Sequence, residues 1–271
     1  MSEIVRDVSP ESLARANEVH LAEGFAACVR AYGGETLDEP DLLWCAAGLR
    51  AAGWNRVTRA NLTPETADVR IEWVKARARA LGVPFRWDVG PSMRPEGLGD
   101  LLLRHGLTNE DDEPAMGVAL AELPDAPSLP EGVTIERVSD PKTLEVWARV
   151  SSAGFEMPAL LTDPLTAAMS RDDLSDSAER HYSLARQGGE PVATAGLALA
   201  AGIAGVFAVS TIATARGRGV GTAITLAPLL AARERGYAVG VLQASEMGYP
   251  VYRKIGFTEQ FRYHGYIWRP A

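Results

Sequence analysis

The chain has 271 residues, 46% of them hydrophobic and 23% charged, which is enough to bury a sizeable core and too balanced for a disordered or low-complexity protein. Its formal charge of −8 leaves no basic stripe for a phosphate backbone, so nucleic acid is not expected as a partner and a small or cationic one fits better. No apolar run approaches the ~20 residues that span a bilayer, and Glu3, Arg6, Asp7 and Glu11 stand where a signal peptide carries its apolar stretch, so a cytoplasmic protein without a membrane partner is expected.

Cys28 and Cys45 show neither metal-ligand spacing nor a Cys-x-x-Cys motif; two buried, reduced thiols and no metal are expected. In chain order, residues 55–62 read as a strand and 63–81 as a helix with Pro64 in its first turn. A strand over 83–89, a helix over 96–105 and a strand over 116–120 follow. Pro124, Pro127 and Pro130 exclude helix and central strand, which makes 123–132 the expected linker between a first domain, 1–122, and a second, 133–271.

Beyond the linker, 133–138 alternates apolar and polar residues as a strand does, and Asp140-Pro141 opens a helix through about Val150. Residues 182–186 and 191–199 form a hairpin around Gly188-Gly189. A strand over 205–212 leads through a loop into a helix over 222–235 that Gly236 ends. A strand over 238–243, a short helix containing Val251 to Lys254 and an aromatic strand over 261–268 complete the pattern. Strand, helix, strand, helix, glycine, strand recurs in both halves.

The loop Arg216-Gly217-Arg218-Gly219-Val220-Gly221-Thr222 follows an apolar strand and opens an apolar helix, so unpaired backbone N–H groups and the positive helix end converge there. Glycine at 217, 219 and 221 permits close approach and positive φ, while Arg216 and Arg218 add charge-assisted donors for an anionic phosphate. A tight turn that merely packs a helix on its sheet has the same glycines. No Gly-Lys-Ser/Thr ending makes this a P-loop, and Thr222 stands where the dinucleotide fingerprint has its third glycine.

These residues resemble the GNAT superfamily of acyl-CoA-dependent N-acyltransferases, in which a strand precedes Gln/Arg-x-x-Gly-x-Gly/Ala and a helix; Arg216, Gly219 and Gly221 match in register. Val251-Tyr252-Arg253-Lys254-Ile255-Gly256-Phe257 resembles that family's Tyr-x-x-x-Gly-Phe signature, at the expected distance. The resemblance covers about Val133 to the C-terminus. It implies an α/β fold (α+β mixed sheet) of two tandem GNAT-like domains, each a central, mostly antiparallel sheet flanked by helices, with acetyl-CoA or another acyl-CoA as co-substrate. The main chain of Val209, Ser210 and Thr211 would pair with the pantetheine arm, the loop from Gly217 to Thr222 would hold the pyrophosphate, and Ser245 stands where relatives often carry a pantetheine-binding asparagine. Tyr252 would be the general acid that protonates the departing thiolate.

Each assignment has a plainer counterpart. Tyr252 also reads as a packed core tyrosine, and Ser245 as a helix cap. The strand before the loop carries Gly205, Val206, Phe207, Ala208 and Val209 where relatives often have a glutamate base, leaving a water chain, Glu246 or His181 as candidates. Phe155, Glu156, Met157 and Asp163 lie in the segment 151–174 that corresponds by position to the acceptor site. The first half runs from strand to helix with no glycine loop, and Leu102 stands where Tyr252 does, so it reads as a degenerate copy, with an unrelated α/β module as the alternative. His105 and Trp54, Trp73 and Trp87 read as satisfied or packing residues there.

The expected activity is transfer of an acetyl or short acyl group to an amine of a small molecule or peptide, by direct attack in a ternary complex. A non-catalytic acyl-CoA-binding or sensing protein, or a purely structural tandem, are the alternatives. A monomer is expected, because two halves can bury each other's strand edges within one chain.

Overall fold

The computed structural model describes residues 2–270. Its elements are α1 (Pro10–Ala31), β1 (Glu35–Glu39), β2 (Leu42–Ala46), β3 (Asn55–Ala60), α2 (Pro64–Leu81), β4 (Phe85–Val89), α3 (Leu98–Arg104), β5 (Thr108–Ala119) and β6 (Val133–Arg137). They continue with α4 (Pro141–Gly154), α5 (Ala159–Met169), β7 (Arg180–Gln187), β8 (Glu190–Ala200), β9 (Ile203–Thr211), α6 (Val220–Glu234), β10 (Val239–Gln243), α7 (Tyr249–Ile255) and β11 (Thr258–Trp268). The mixed α/β class is the expected one, and every predicted element is present within a few residues, except that β5 starts well before its predicted position. Among the described residues no helix is long and apolar enough to cross a membrane.

Contacts divide the chain into two units that exchange their ends. Residues up to His20 group with Met116–Gln260, and Leu21–Ala115 group with the chain from Phe261. We call these the C-terminal and N-terminal units.

In the C-terminal unit β6, β7, β8 and β9 pair antiparallel in that order, and β10 joins β9 in parallel. Asp140 caps α4 by accepting from the backbone N–H of Lys142 at 3.0 Å and Thr143 at 3.1 Å, as its position before Pro141 predicts. One side of the sheet is packed by α6 through Ile224, Leu226, Leu229 and Leu230, and the other receives Leu13 and Ala16 of α1 against Ile203, Val239 and Val241. The segment 123–132 is neither helix nor strand.

The N-terminal unit pairs β1, β2 and β3 antiparallel, sets β4 parallel to β3, and adds β11 antiparallel to β4 from His264↔Val89 to Trp268↔Phe85. The aromatic last strand is thus paired within the chain. Its place beside β4 depends on Gly265: a Cβ there would stand 2.5 Å from Arg86 Cζ, and the buried Arg86 guanidinium bonds both Asp88 and Asp111. Trp44, Phe85, Trp87 and Trp268 lie in the core beneath α2, where full burial of each large side chain contributes about 1.5–3 kcal/mol. Cys45 is buried and Cys28 half-buried, and neither is in a disulfide; burial pushes the Cys45 thiol up to about 12.

His105 follows α3, with Nε2 2.9 Å from Asp68 Oδ1 and Nδ1 2.8 Å from Glu72 Oε1 of α2. Burial works against its charge, but the two carboxylates outweigh that and hold its pKa above the ordinary imidazole value. A pKa raised in the folded state adds stability that is complete below the unfolded pKa of about 6.5 and fades as pH rises through the folded one. His105→Gln should therefore cost about 1 kcal/mol near pH 5.5 and less near pH 9. Urea denaturation of both proteins at the two pH values checks this, and an equal cost at both would assign His105 a packing role only.

Candidate active site

The site grows from β9. Its antiparallel register with β8 shifts between Thr194 and Gly196, and opposite that shift Ala208 adopts φ 48°, a conformation unusual for an L-residue. Thr194 Oγ1 secures the bulge through the Ala208 carbonyl at 3.0 Å and Ser210 Oγ at 2.8 Å. On the other edge the parallel register with β10 consists of Gly240↔Ala204 and Val241↔Gly205, yet β9 runs on to Thr211 and β10 to Gln243. Past Val206 the two strands therefore part, and β9 presents a main-chain edge without a strand partner. The apex is wedged from below: the ring of His20 occupies the space a side chain at Gly205 would need, with Nε2 3.0 Å from the Ala198 carbonyl.

At the end of β9 lies the glycine loop. Gly217 has φ 74° and Gly219 φ 83°, so both use the left-handed region open to glycine. Among the described residues no acceptor meets the backbone N–H of Gly217, Arg218, Gly219, Val220, Gly221 or Thr222; the first helical bond is that of Ala223 to the Gly219 carbonyl at 3.1 Å. Six successive free donors at the positive end of a 15-residue helix suit a diphosphate. A Cβ on Gly217 would meet nothing within 4 Å, so the loop faces open space. The exposed Arg218 guanidinium has no partner among the described residues.

Beyond the open end of β10, the chain turns into α7. Ser245 Oγ accepts from Gly248 N at 3.1 Å, so this serine caps the turn. The Tyr252 ring lies against Gly248, where a Cβ would come within 2.7 Å of Cε2 and 3.3 Å of Ser245 Oγ. Tyr252 belongs to the buried cluster against which Val209 of the open edge packs. Its hydroxyl has no protein partner among the described residues, and burial alone pushes its pKa up to about 12.

Residues 147–257 match the model of the acetyltransferase (GNAT) family. This segment is a GNAT acetyltransferase domain. Among solved structures, a GCN5-related N-acetyltransferase from Kribbella flavida superposes with TM-score 0.73 at 21% identity, covering 95% of this chain and 95% of that one. Another from Sphaerobacter thermophilus gives TM-score 0.62 at 20% identity over 98% and 96%. A tandem GNAT protein from the clavulanic acid biosynthesis pathway gives 0.58 at 16% over 85% and 79%. At such identities the likeness is one of fold, and it extends through both halves of the chain. No curated protein matches in a sequence comparison. The GNAT fold supports acyl transfer from coenzyme A, and the family uses acetyl-CoA.

Within this GNAT domain the predicted residues do not all come together. Val209 lies on the open part of β9 and the loop amides follow its end, while Tyr252 belongs to the buried cluster against which Val209 packs. The Ser210 side chain turns away to Thr194 and is buried, leaving only its main chain for a ligand. The Thr211 carbonyl accepts from Arg216 Nε at 3.0 Å. His181 is bonded to Arg235 at the far end of α6, about 22 Å along the helix from the loop, and Glu246 is exposed in the turn before α7. Phe155, Glu156 and Asp163 are exposed and Met157 is half-buried. His20 escaped the sequence reading; a single histidine on an apolar helix gives no period to detect, and only the glycine opposite it, Gly205, carries a trace of the contact.

The N-terminal unit repeats the parallel pair, with β3 and β4 in register at Arg56↔Arg86 and Val57↔Trp87. There, however, the opening is filled by the chain itself. Arg94 N donates to the Ala60 carbonyl at 3.0 Å, Leu62 N donates to the Arg94 carbonyl at 3.2 Å, and Asn61 bridges to Arg94 in parallel. Thr63 caps α2 directly after this bridge, with its N–H donated to Thr66 Oγ1 at 3.1 Å, so no loop intervenes.

Proposed function

We propose that the protein is an N-acyltransferase that moves an acetyl or short acyl group from coenzyme A to an amine of a small molecule or peptide by direct attack in a ternary complex. The observation that carries this reading is the continuous run of six free amides at the start of α6, set at the end of a strand whose adjoining edge is open. When bound, acyl-CoA supplies the activated thioester. The amides from Gly217 to Thr222 hold its diphosphate, Arg218 adds a free charge, and the main chain of Val209 and its neighbours aligns the pantetheine amides as an added strand would.

Tyr252 keeps a proton at its hydroxyl oxygen throughout the neutral range, because burial disfavours the phenolate, and donates it toward the leaving sulfur. Its lack of a protein partner leaves that donor free for this task. No carboxylate stands on the open part of β9, and His181 is held by Arg235 at the far end of α6, so the amine proton leaves through water or to Glu246, exposed in the turn after β10. In the first unit the corresponding opening is filled by Arg94, which leaves the second as the one that takes acyl-CoA.

The test is calorimetric titration of acetyl-CoA, followed by release of free thiol with a panel of amines. One site per chain and turnover on at least one amine are expected. Binding without turnover on any amine would favour a sensing protein, and absence of binding would remove the acyltransferase reading altogether.

A further inference from the structure

Arg216 matches the first position of the loop signature, where its charge reads as a phosphate ligand, but its guanidinium is turned inward. Nη2 donates to the Gly154 carbonyl at 2.8 Å, Nε to the Thr211 carbonyl at 3.0 Å, and Nη1 lies 3.4 Å from Glu156 Oε1. One side chain thereby joins the end of β9, the start of the glycine loop and the connection from α4 to α5. We infer that Arg216 is a positioning residue that clips the candidate acceptor segment to the cofactor loop, so that occupation of one orders the other.

The connection is built to receive this clip. Met157 N bonds the Ser152 carbonyl at 2.8 Å and Glu156 N the Ala153 carbonyl at 3.1 Å, the paired bonds of a Schellman turn, in which the left-handed position usually belongs to glycine. Here that position is Glu156, at φ 54°, and its carboxylate faces Arg216. Gly154, two residues earlier, has no room for a side chain: a Cβ would lie 2.6 Å from Ser210 Oγ and 3.2 Å from Thr211 N. The end of α4 thus rests directly on the last two residues of β9, the strand whose open edge is the candidate pantetheine site. A shift of that strand or loop on ligand binding cannot leave Gly154 to Glu156 in place while the three contacts hold. A planar guanidinium makes them together, whereas an ammonium cannot span them.

The inference rests on the acyl-CoA reading, and the test separates the two. Hydrogen exchange of peptides covering 152–158 is measured with and without acetyl-CoA, beside calorimetry, for wild type, Arg216→Ala and Arg216→Lys. In wild type, acetyl-CoA should slow exchange in these peptides. In both variants that protection should vanish while the Kd for acetyl-CoA changes by less than about threefold, and Lys should not rescue. A Kd raised tenfold or more in Arg216→Ala and restored by Lys, with protection of 152–158 intact, would overturn the clip and make Arg216 a phosphate ligand. Failure of acetyl-CoA to bind wild type would instead remove the underlying reading.

Discussion

Gly219→Glu should raise the Kd of acetyl-CoA by about two to three orders of magnitude, with Gly219→Ala as its control. Gly219 has φ 83° and caps α6, so any L-residue there incurs roughly 1–2 kcal/mol of backbone strain. Alanine and glutamate share that strain. They also share the space, since the nearest atom to a Cβ is Pro130 Cγ at 3.6 Å. Only glutamate adds a negative charge amid six amides oriented toward an anion. Two like charges about 4 Å apart repel by about 4 kcal/mol at the effective dielectric of a protein surface, close to a thousandfold in affinity. Alanine should weaken binding by less than about tenfold, and both variants should melt within a few degrees of each other. If glutamate binds acetyl-CoA as alanine does, the diphosphate lies elsewhere and the loop is only a tight turn.

Three glycines, two arginines and the strand before them made this loop readable in the sequence, because an anion cradle needs residue types that tolerate positive φ and bare amides. The second signature was readable for a similar reason: Gly256 ends α7 at φ 113° and places Phe257 against Tyr252, with ring centroids 6.1 Å apart. What could not be read was direction. Nothing in the sequence distinguishes an Arg216 aimed at solvent from one aimed at Gly154, or a Ser210 facing a ligand from one bonded to Thr194. The bulge at Ala208 was equally hidden, since an alanine in the left-handed region leaves no compositional mark.

The first 54 residues show the opposite limit. No element was predicted there, yet α1 is the longest helix of the chain among the described residues. Its apolar face is assembled largely from small side chains, Ala16, Ala22 and Ala26 beside Leu13 and Val29, so its periodicity is shallow. β1 and β2 join around Pro40-Asp41 and owe their pairing to burial of Leu43 and Cys45 beneath α1. Tertiary packing therefore decides these elements more than local preference does. The same holds for the last strand: the pairing of β11 with β4 depends on Gly265 admitting Arg86, a relation between residues 86 and 265 that no local window contains.

Tyr252→Phe separates catalysis from packing, because the two roles predict opposite stability effects. A core tyrosine bonded through its hydroxyl loses about 1–3 kcal/mol when the partner is orphaned. The Tyr252 hydroxyl has no protein partner among the described residues, so its removal orphans nothing, and the phenyl ring retains its contacts with Phe257 and Gly248. The variant should melt at or slightly above the wild-type temperature and bind acetyl-CoA within about threefold of wild type. Turnover should fall by about a hundredfold or more, the usual contribution of a positioned proton donor. With the phenol pushed up to about 12, the wild-type rate should show no loss from Tyr252 ionisation below pH 10. Unchanged turnover in the phenylalanine variant would leave Tyr252 a packing residue and transfer protonation of the leaving sulfur to water, whereas a rate loss without a loss of stability or cofactor affinity places the proton on this hydroxyl.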